Sequence, residues 1–272
     1  MKRFSTSNKI PPSVKWCGAG LFWLTVWQIA AMIVDLDILL PSPLLTARKL
    51  LELITTGSYW AAIGISFLHI VIGYSVGCLL GILFGYLMHR YTLIDVLISP
   101  VMSLIRAVPV ASFIILALVW IGRENIPPFI AFLMVVPVVS TSVKTGLESV
   151  DRELAEVARI YRFTRAQRVN LLYKPAVLPH LVSSTRVTLG LAWKASVAAE
   201  VLCSLSRTIG GNIHTSRLVL ETDTLFAWTI TVILISILFE SLLYRAFSRI
   251  DPTVRRKKSD APSDNGYLQA IR

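Results

Sequence analysis

Six long apolar runs constrain this 272-residue chain more than any other feature of its sequence. They lie near Trp16–Val34, Ser66–Met88, Leu97–Ile121, Pro128–Val143, Val187–Leu205 and Leu225–Phe247. About 20 apolar helical residues cross roughly 30 Å of hydrocarbon, and a helix satisfies every backbone polar group internally. Six such runs therefore predict an all-α membrane protein with about six transmembrane helices. The balance of 54% hydrophobic against 16% charged residues argues against a soluble domain of this length. The fourth run is the shortest and carries Pro137, which predicts a kink or an extension toward Gly146.

The net charge of +11 would suit nucleic acid, but its distribution points elsewhere. With both termini in the cytoplasm, the inner segments hold Lys2, Arg3, Lys9, Lys15, Arg90, the run of basic residues from Arg152 to Lys174, Arg186 and the cluster Arg255–Lys258. The outer loops hold only Arg48, Lys49, Arg123, Arg207 and Arg217. That is the positive-inside pattern, which orients a membrane protein and needs no nucleic-acid partner. The basic N-terminus followed by an apolar run resembles a secretory signal, but it lacks a small-x-small cleavage site and reads as an uncleaved first span. Cys17, Cys78 and Cys203 match no metal or disulfide spacing and read as small buried residues.

Between the first two spans, Pro41 and Pro43 break the chain, and Leu44, Leu45, Leu50, Leu51 and Ile54 recur at helical spacing, predicting an interfacial helix. The second span carries Gly73, Gly77, Gly81 and Gly85 at four-residue intervals. They share one face and let a neighbouring backbone approach closely, either as fixed packing or as a sliding surface. The inner segment Glu148–Arg186 mixes charge with Leu154, Val157, Ile160, Tyr161 and Val169, so it is expected to be folded. Asp151 is placed to cap one short helix, and Thr164-x-x-Gln167 has the form of a capping box opening a second. Pro175 and Pro179 are expected to end that second helix or to bend the chain beyond it. The polar tail after Asp251 is expected to be disordered.

Nothing matches the phosphate loop of an ATPase, and Gly210-Gly211 lacks its lysine. The four histidines show no ligand-type pairing, no metal site is expected, and the chain does not read as an enzyme. Charge within spans is costly and faces a bundle interior or an aqueous path, which singles out Arg106, Lys144, Lys194, Glu200 and Glu240. Lys144 and Glu148 are four apart and suggest a local pair; Glu240 has no obvious local partner. On the fifth span, Ser196, Glu200, Cys203 and Ser204 form a polar stripe with Trp193 one turn earlier. It suits either a translocation lining or a buried interhelical hydrogen-bond network.

At the inner loop, Glu156-Val157-Ala158, then Arg162, then Leu172-Tyr173-Lys174-Pro175 resembles the E-A-A, G, I-x-L-P signature of importer permeases, with matching spacing. The resemblance extends over Leu40–Pro43, Gly57–Trp60, Arg106-x-x-Pro109, Ala176–Pro179, Gly190–Trp193 and Ala198–Glu200. Residues 40–250 thus look like the nitrate, sulfonate and taurine branch of binding-protein-dependent ABC permeases. The resemblance implies a type I importer (MetI-like) permease fold over residues 60–250, after a tail at 1–15 and a first helix at 16–34, and before a tail at 251–272.

It also implies a multi-pass protein of the bacterial inner membrane, working as a homodimer with two copies of a cytoplasmic ABC ATPase and an extracytoplasmic solute-binding protein. ATP and Mg would sit on the ATPase, leaving this chain without a cofactor. The coupling loop at 151–175 would present Leu154, Glu156, Val157, Ala158 and Tyr161 to that ATPase, flanked by Arg162, Lys174 and Pro175. Arg106, Trp193, Lys194, Ser196, Glu200 and Ser204 are the candidates for the translocation pathway. The expected function is import of a small anionic or sulfonate-like solute by alternating access, with an ion-gradient-driven transporter as the alternative. This sequence has Arg162 where the family has glycine, Lys174 where it has leucine, and His69 where it has arginine. A left-handed turn at Arg162 would cost about 1 kcal/mol more than with glycine.

Overall fold

A computed structural model describes the backbone of residues 12–250 and the side chains of residues 18–242 and Arg245. The tail at 1–11 and the tail at 251–272 with its basic cluster lie outside the described residues. Every regular element described is helical: α1 (Pro12–Val34), α2 (Pro43–Ile54), α3 (Gly57–Arg90), α4 (Thr92–Ala107), α5 (Val110–Trp120), α6 (Ile126–Glu148), α7 (Arg152–Ile160), α8 (Arg165–Arg168), α9 (Lys174–Leu202), α10 (Ile209–Leu218) and α11 (Thr222–Ile250).

Helix α6 occupies the centre, between α3 and α9. Of its most apolar stretch 61% is buried, against 22% for α3 and 17% for α11, so the outer helices keep wide apolar surfaces for lipid. Glycine sets the closeness of the α3–α6 contact. A Cβ at Gly77 or Gly81 would fall 2.8 Å from the Cβ of Val135 or Val139, and one at Gly73 or Gly85 would strike the carbonyl oxygen of Pro128 or Ser140. Pro137 does not end α6, which runs beyond Gly146; there a Cβ would lie 2.8 Å from Cα of Val177 on α9.

Among the described residues, α3, the segment Arg123–Glu148 and the segment Thr222–Leu242 are long and apolar enough to cross a bilayer. The third run of the sequence is not one straight span. It forms α4 and α5, which meet at 108°. The break falls at Val108 and Pro109, both extended: proline has no N–H for a helical bond and pushes the residue before it out of the helical region. The fifth run has the length to span, but Ser183, Ser184, Thr185, Arg186, Thr188 and Lys194 keep α9 below the same apolar threshold. Such a helix turns its polar faces to protein or water.

Helix α2 forms where the leucine spacing predicts. Ser42 caps it by accepting from the Leu45 N–H at 3.2 Å, Pro43 stands in its first turn, and Leu44 and Leu51 remain exposed. It packs against α11, while α1 is tied on by Trp27, whose Nε1 donates to the Pro41 carbonyl at 3.1 Å and whose ring meets Phe226.

Candidate functional site

The loop between α6 and α9 is built from local signals. The Asp151 carboxylate accepts from the Glu153 N–H at 2.9 Å and opens α7. At the other end of α7, Arg162 takes φ 51°, the Phe163 N–H reaches back to the Ala158 carbonyl at 2.9 Å, and the Arg162 N–H reaches Arg159 at 3.1 Å. These are the two bonds of a Schellman motif, which satisfies helix-end carbonyls and normally takes glycine at the left-handed position. Here an arginine occupies it. Thr164 and Gln167 then form the reciprocal capping box that starts α8.

From α8 the backbone stays helical through a π-turn, Val169–Tyr173, into α9. Pro175 and Pro179 neither end nor interrupt this run: Pro175 stands in the first turn of α9 and Pro179 within it. The π-turn explains how. Pro175 has no N–H to give to the carbonyl four residues back, and widening the preceding turn to i→i−5 bonds, such as Lys174 N–H to Val169, accommodates its ring.

Leu154, Val157, Ile160 and Tyr161 lie on the exposed side of α7, with Ile160 and Tyr161 at 75% and 73% exposure. Glu156 is exposed beside them. Ala158 is not part of this surface. At 2% exposure it is buried, although it stands four residues from Leu154 and three from Tyr161 and so shares their side of α7; Ile160 takes a place on the exposed surface that the motif spacing alone did not assign.

The residues expected along one polar stripe of the fifth span are dispersed. Helix α9 ends at Leu202, and Ser204 sits beyond it at φ 52°, exposed, with Oγ 3.1 Å from His214 Nε2. Helical spacing therefore does not carry the stripe to Cys203 and Ser204. Trp193, Ser196 and Glu200 are fully buried, whereas Lys194 is exposed and Arg106 is exposed in the last turn of α4.

Glu200 is the centre of a buried junction of α3, α9 and α10. Its Oε2 accepts from Ser66 Oγ at 2.7 Å and from the Gly210 N–H at 3.1 Å, and its Oε1 lies 2.9 Å from His69 Nδ1. Ser66 Oγ in turn accepts from the Ile209 N–H at 2.9 Å, and Thr208 Oγ1 from the Gly211 N–H at 2.9 Å. The first three N–H groups of α10 are thus each satisfied by a side chain, with a carboxylate at the positive end of the helix. Only glycine at 210 allows this approach, since a Cβ there would lie 2.5 Å from that of Glu200. In the sequence Glu200 stands out as a charge within a span, but Ser66, His69 and Gly210 do not stand out as its partners: the first two are more than 130 residues away, and Gly210 belongs to a glycine pair with no local signal for a carboxylate.

Lys144 reaches both carboxylate oxygens of Asp95 at 2.7 Å and stands 3.8 Å from Glu148, so its principal partner is on α4 and not the neighbour four residues on. Lys194 opens onto a cavity of about 460 Å³ that Arg186, Gly190 and Glu240 also line.

A family model described as the binding-protein-dependent transport system inner membrane component matches residues 77–256. The putative aliphatic sulfonates transport permease protein SsuC of Bacillus subtilis is 28% identical over 223 residues, covering 81% of this chain and 80% of its own. The taurine transport system permease protein TauC of Escherichia coli is 26% identical over 257 residues, covering 92% of each chain. In fold, the chain is similar to one from the crystal structure of an amino acid ABC transporter with histidines, with a TM-score of 0.56 at 17% identity over 72% of this chain and 94% of that one.

Proposed function

The chain belongs to the family of binding-protein-dependent transport system inner membrane components, and from that premise we propose how it converts a partner's ATP hydrolysis into solute movement. It is a multi-pass inner-membrane permease subunit of an ATP-driven importer, a role that supersedes the ion-gradient alternative. That role requires an ATPase partner. We infer that this chain hydrolyses nothing itself, that ATP and Mg are held by two ATPase subunits, and that two copies of the chain enclose the solute path. Both termini then face the cytoplasm, and an extracytoplasmic binding protein delivers the solute.

In this reading Leu154, Glu156, Val157 and Tyr161, joined by Ile160, dock on the ATPase. Ala158 packs beneath them, and Arg162 sets the turn that aims α7. The observation that carries the proposal is the unbroken helical backbone from Arg165 to Leu202, since a displaced loop then moves α9 as one lever. Lys174 and Pro175 stand where the lever leaves the loop. Lys194 faces the path with Arg106 near the α4–α5 bend, while Trp193, Ser196 and Glu200 hold α9 against its neighbours, and Ser204 ends it. The relatives named for sulfonates and taurine support a small anionic or sulfonate-like cargo.

Glu156→Lys tests the docking face. It reverses one exposed charge, so membrane insertion should persist while ATPase copurification and ATP-driven uptake are lost. Unchanged copurification and uptake would sink the assignment.

A further inference from the structure

Arg186, Gly190 and Lys194 recur every four residues and so share one face of α9, and the cavity they line is closed on its other side by Glu240 of α11. The glycine shapes the arrangement: Oε1 of Glu240 lies 3.0 Å from the point that a Cβ at 190 would occupy, so the carboxylate rests against the bare helix. Lys194 is one turn, about 6 Å, further along the axis. Arg186, one turn the other way, is already engaged. Lys194 and Glu240 are both exposed to the cavity, and neither has a hydrogen bond or ion pair among the described residues.

Gly190 is about 18 Å from the Leu202 end of α9 and about 24 Å from its Lys174 end. Charge at that depth does not face lipid, so the cavity opens to an aqueous path or to protein. Two unpartnered charges of opposite sign, separated across one cavity, select by elimination. A simple anion drawn to Lys194 is repelled by Glu240, and a simple cation drawn to Glu240 is repelled by Lys194. A molecule carrying both charges a few bonds apart satisfies the two together, and the volume suits a small solute.

We propose that this cavity is a transit site for a small zwitterion, its ammonium group meeting Glu240 and its acidic group meeting Lys194. The inference rests on the permease reading and narrows its cargo, since the carboxylate disfavours a solute that is only an anion.

The test is equilibrium binding of radiolabelled taurine to the purified permease–ATPase complex in lipid nanodiscs without the binding protein, with ethanesulfonate and ethylamine as competitors that each keep one charge. The unaltered complex should prefer taurine over either competitor by at least about ten-fold. Glu240→Gln should reduce the preference over ethanesulfonate to less than about two-fold, and Lys194→Gln should do the same for ethylamine. Gly190→Ala, which displaces the carboxylate without removing a charge, should weaken taurine binding alone. Absence of taurine binding, or preferences that both charge variants leave intact, would overturn the proposal. So would loss of the dimer in Lys194→Glu and Glu240→Lys with recovery in the double variant, because the two charges would then pair between copies. ATP-driven uptake in proteoliposomes separates the two levels. Uptake with unaltered selectivity in the variants removes the cavity assignment and leaves the permease standing; a complex that never assembles with an ATPase removes both.

Discussion

The loop around α7 and the junction around Glu200 are both dense in polar groups, yet they are held together in opposite ways. Each hydrogen bond that shapes the loop joins residues at most five apart: Asp151 to Glu153, Thr164 to Gln167, Ala158 to Phe163. The junction joins Ser66 and His69 to Glu200 across more than 130 residues, and Ile209 to Ser66 across 143. The loop is exposed, whereas the junction is buried apart from the partly exposed His69. Losing a bond in the loop lets water replace it, whereas losing one in the junction strands buried donors. In the proposed mechanism the first region is the one that meets a partner, while the second keeps the helices in register.

Glu200→Ala should separate the two regions most sharply. It leaves Ser66, His69 and the Gly210 N–H without their acceptor, and the expected cost is about 3 kcal/mol or more. It should appear as a large drop in thermal unfolding temperature of the detergent-purified protein; a drop no larger than that of a surface substitution would put the junction on the same footing as the loop. Gly81→Leu comes next. It forces a side chain into the α3–α6 contact, where even a Cβ stands 2.8 Å from Val139, at an expected cost of about 1–3 kcal/mol. The same assay checks it, and an unchanged midpoint would mean that the two helices can separate freely. Arg162→Gly is the smallest and has the opposite sign. It removes a left-handed arginine, and should slow amide exchange across α7 by an amount equivalent to about 1 kcal/mol, leaving global unfolding unchanged. Faster exchange there would show that the arginine side chain, and not the turn, stabilises the loop.

The same division decided what could be read in advance. The caps at Asp151 and Thr164, the amphipathic α2 and the glycine face of α3 depend on residues a few positions apart, so spacing exposes them. The family motif falls on the folded inner loop, and its glycine position is where the left-handed turn falls even though arginine fills it. The burial of Ala158 and the exposure of Ile160 escaped the motif because it fixes spacing along the chain and not what the fold packs over each side chain. The Asp95 partner of Lys144 escaped because the local candidate, Glu148, stood at the more obvious spacing. None of the glycines in the described residues takes a positive φ; the left-handed turns fall on Asp35, Arg162, Ser204, Arg207 and Leu220. Glycine in this chain serves close approach between helices, which a turn-based reading of Gly210 would not suggest.

Sequence alone determined that the chain is helical, resides in a membrane and carries a folded inner loop, because apolar run length, capping residues and motif spacing are local properties that no partner helix can alter. Tertiary structure alone decided which polar residues are structural and which face open space. Glu200, Lys194 and Glu240 are indistinguishable as charges within apolar runs, and only the packing of α3, α10 and α11 around α9 buries the first in hydrogen bonds and leaves the other two across a cavity. The reason is physical: the cost of a charge in a membrane is set by what surrounds it, and those surroundings come from segments distant in the chain.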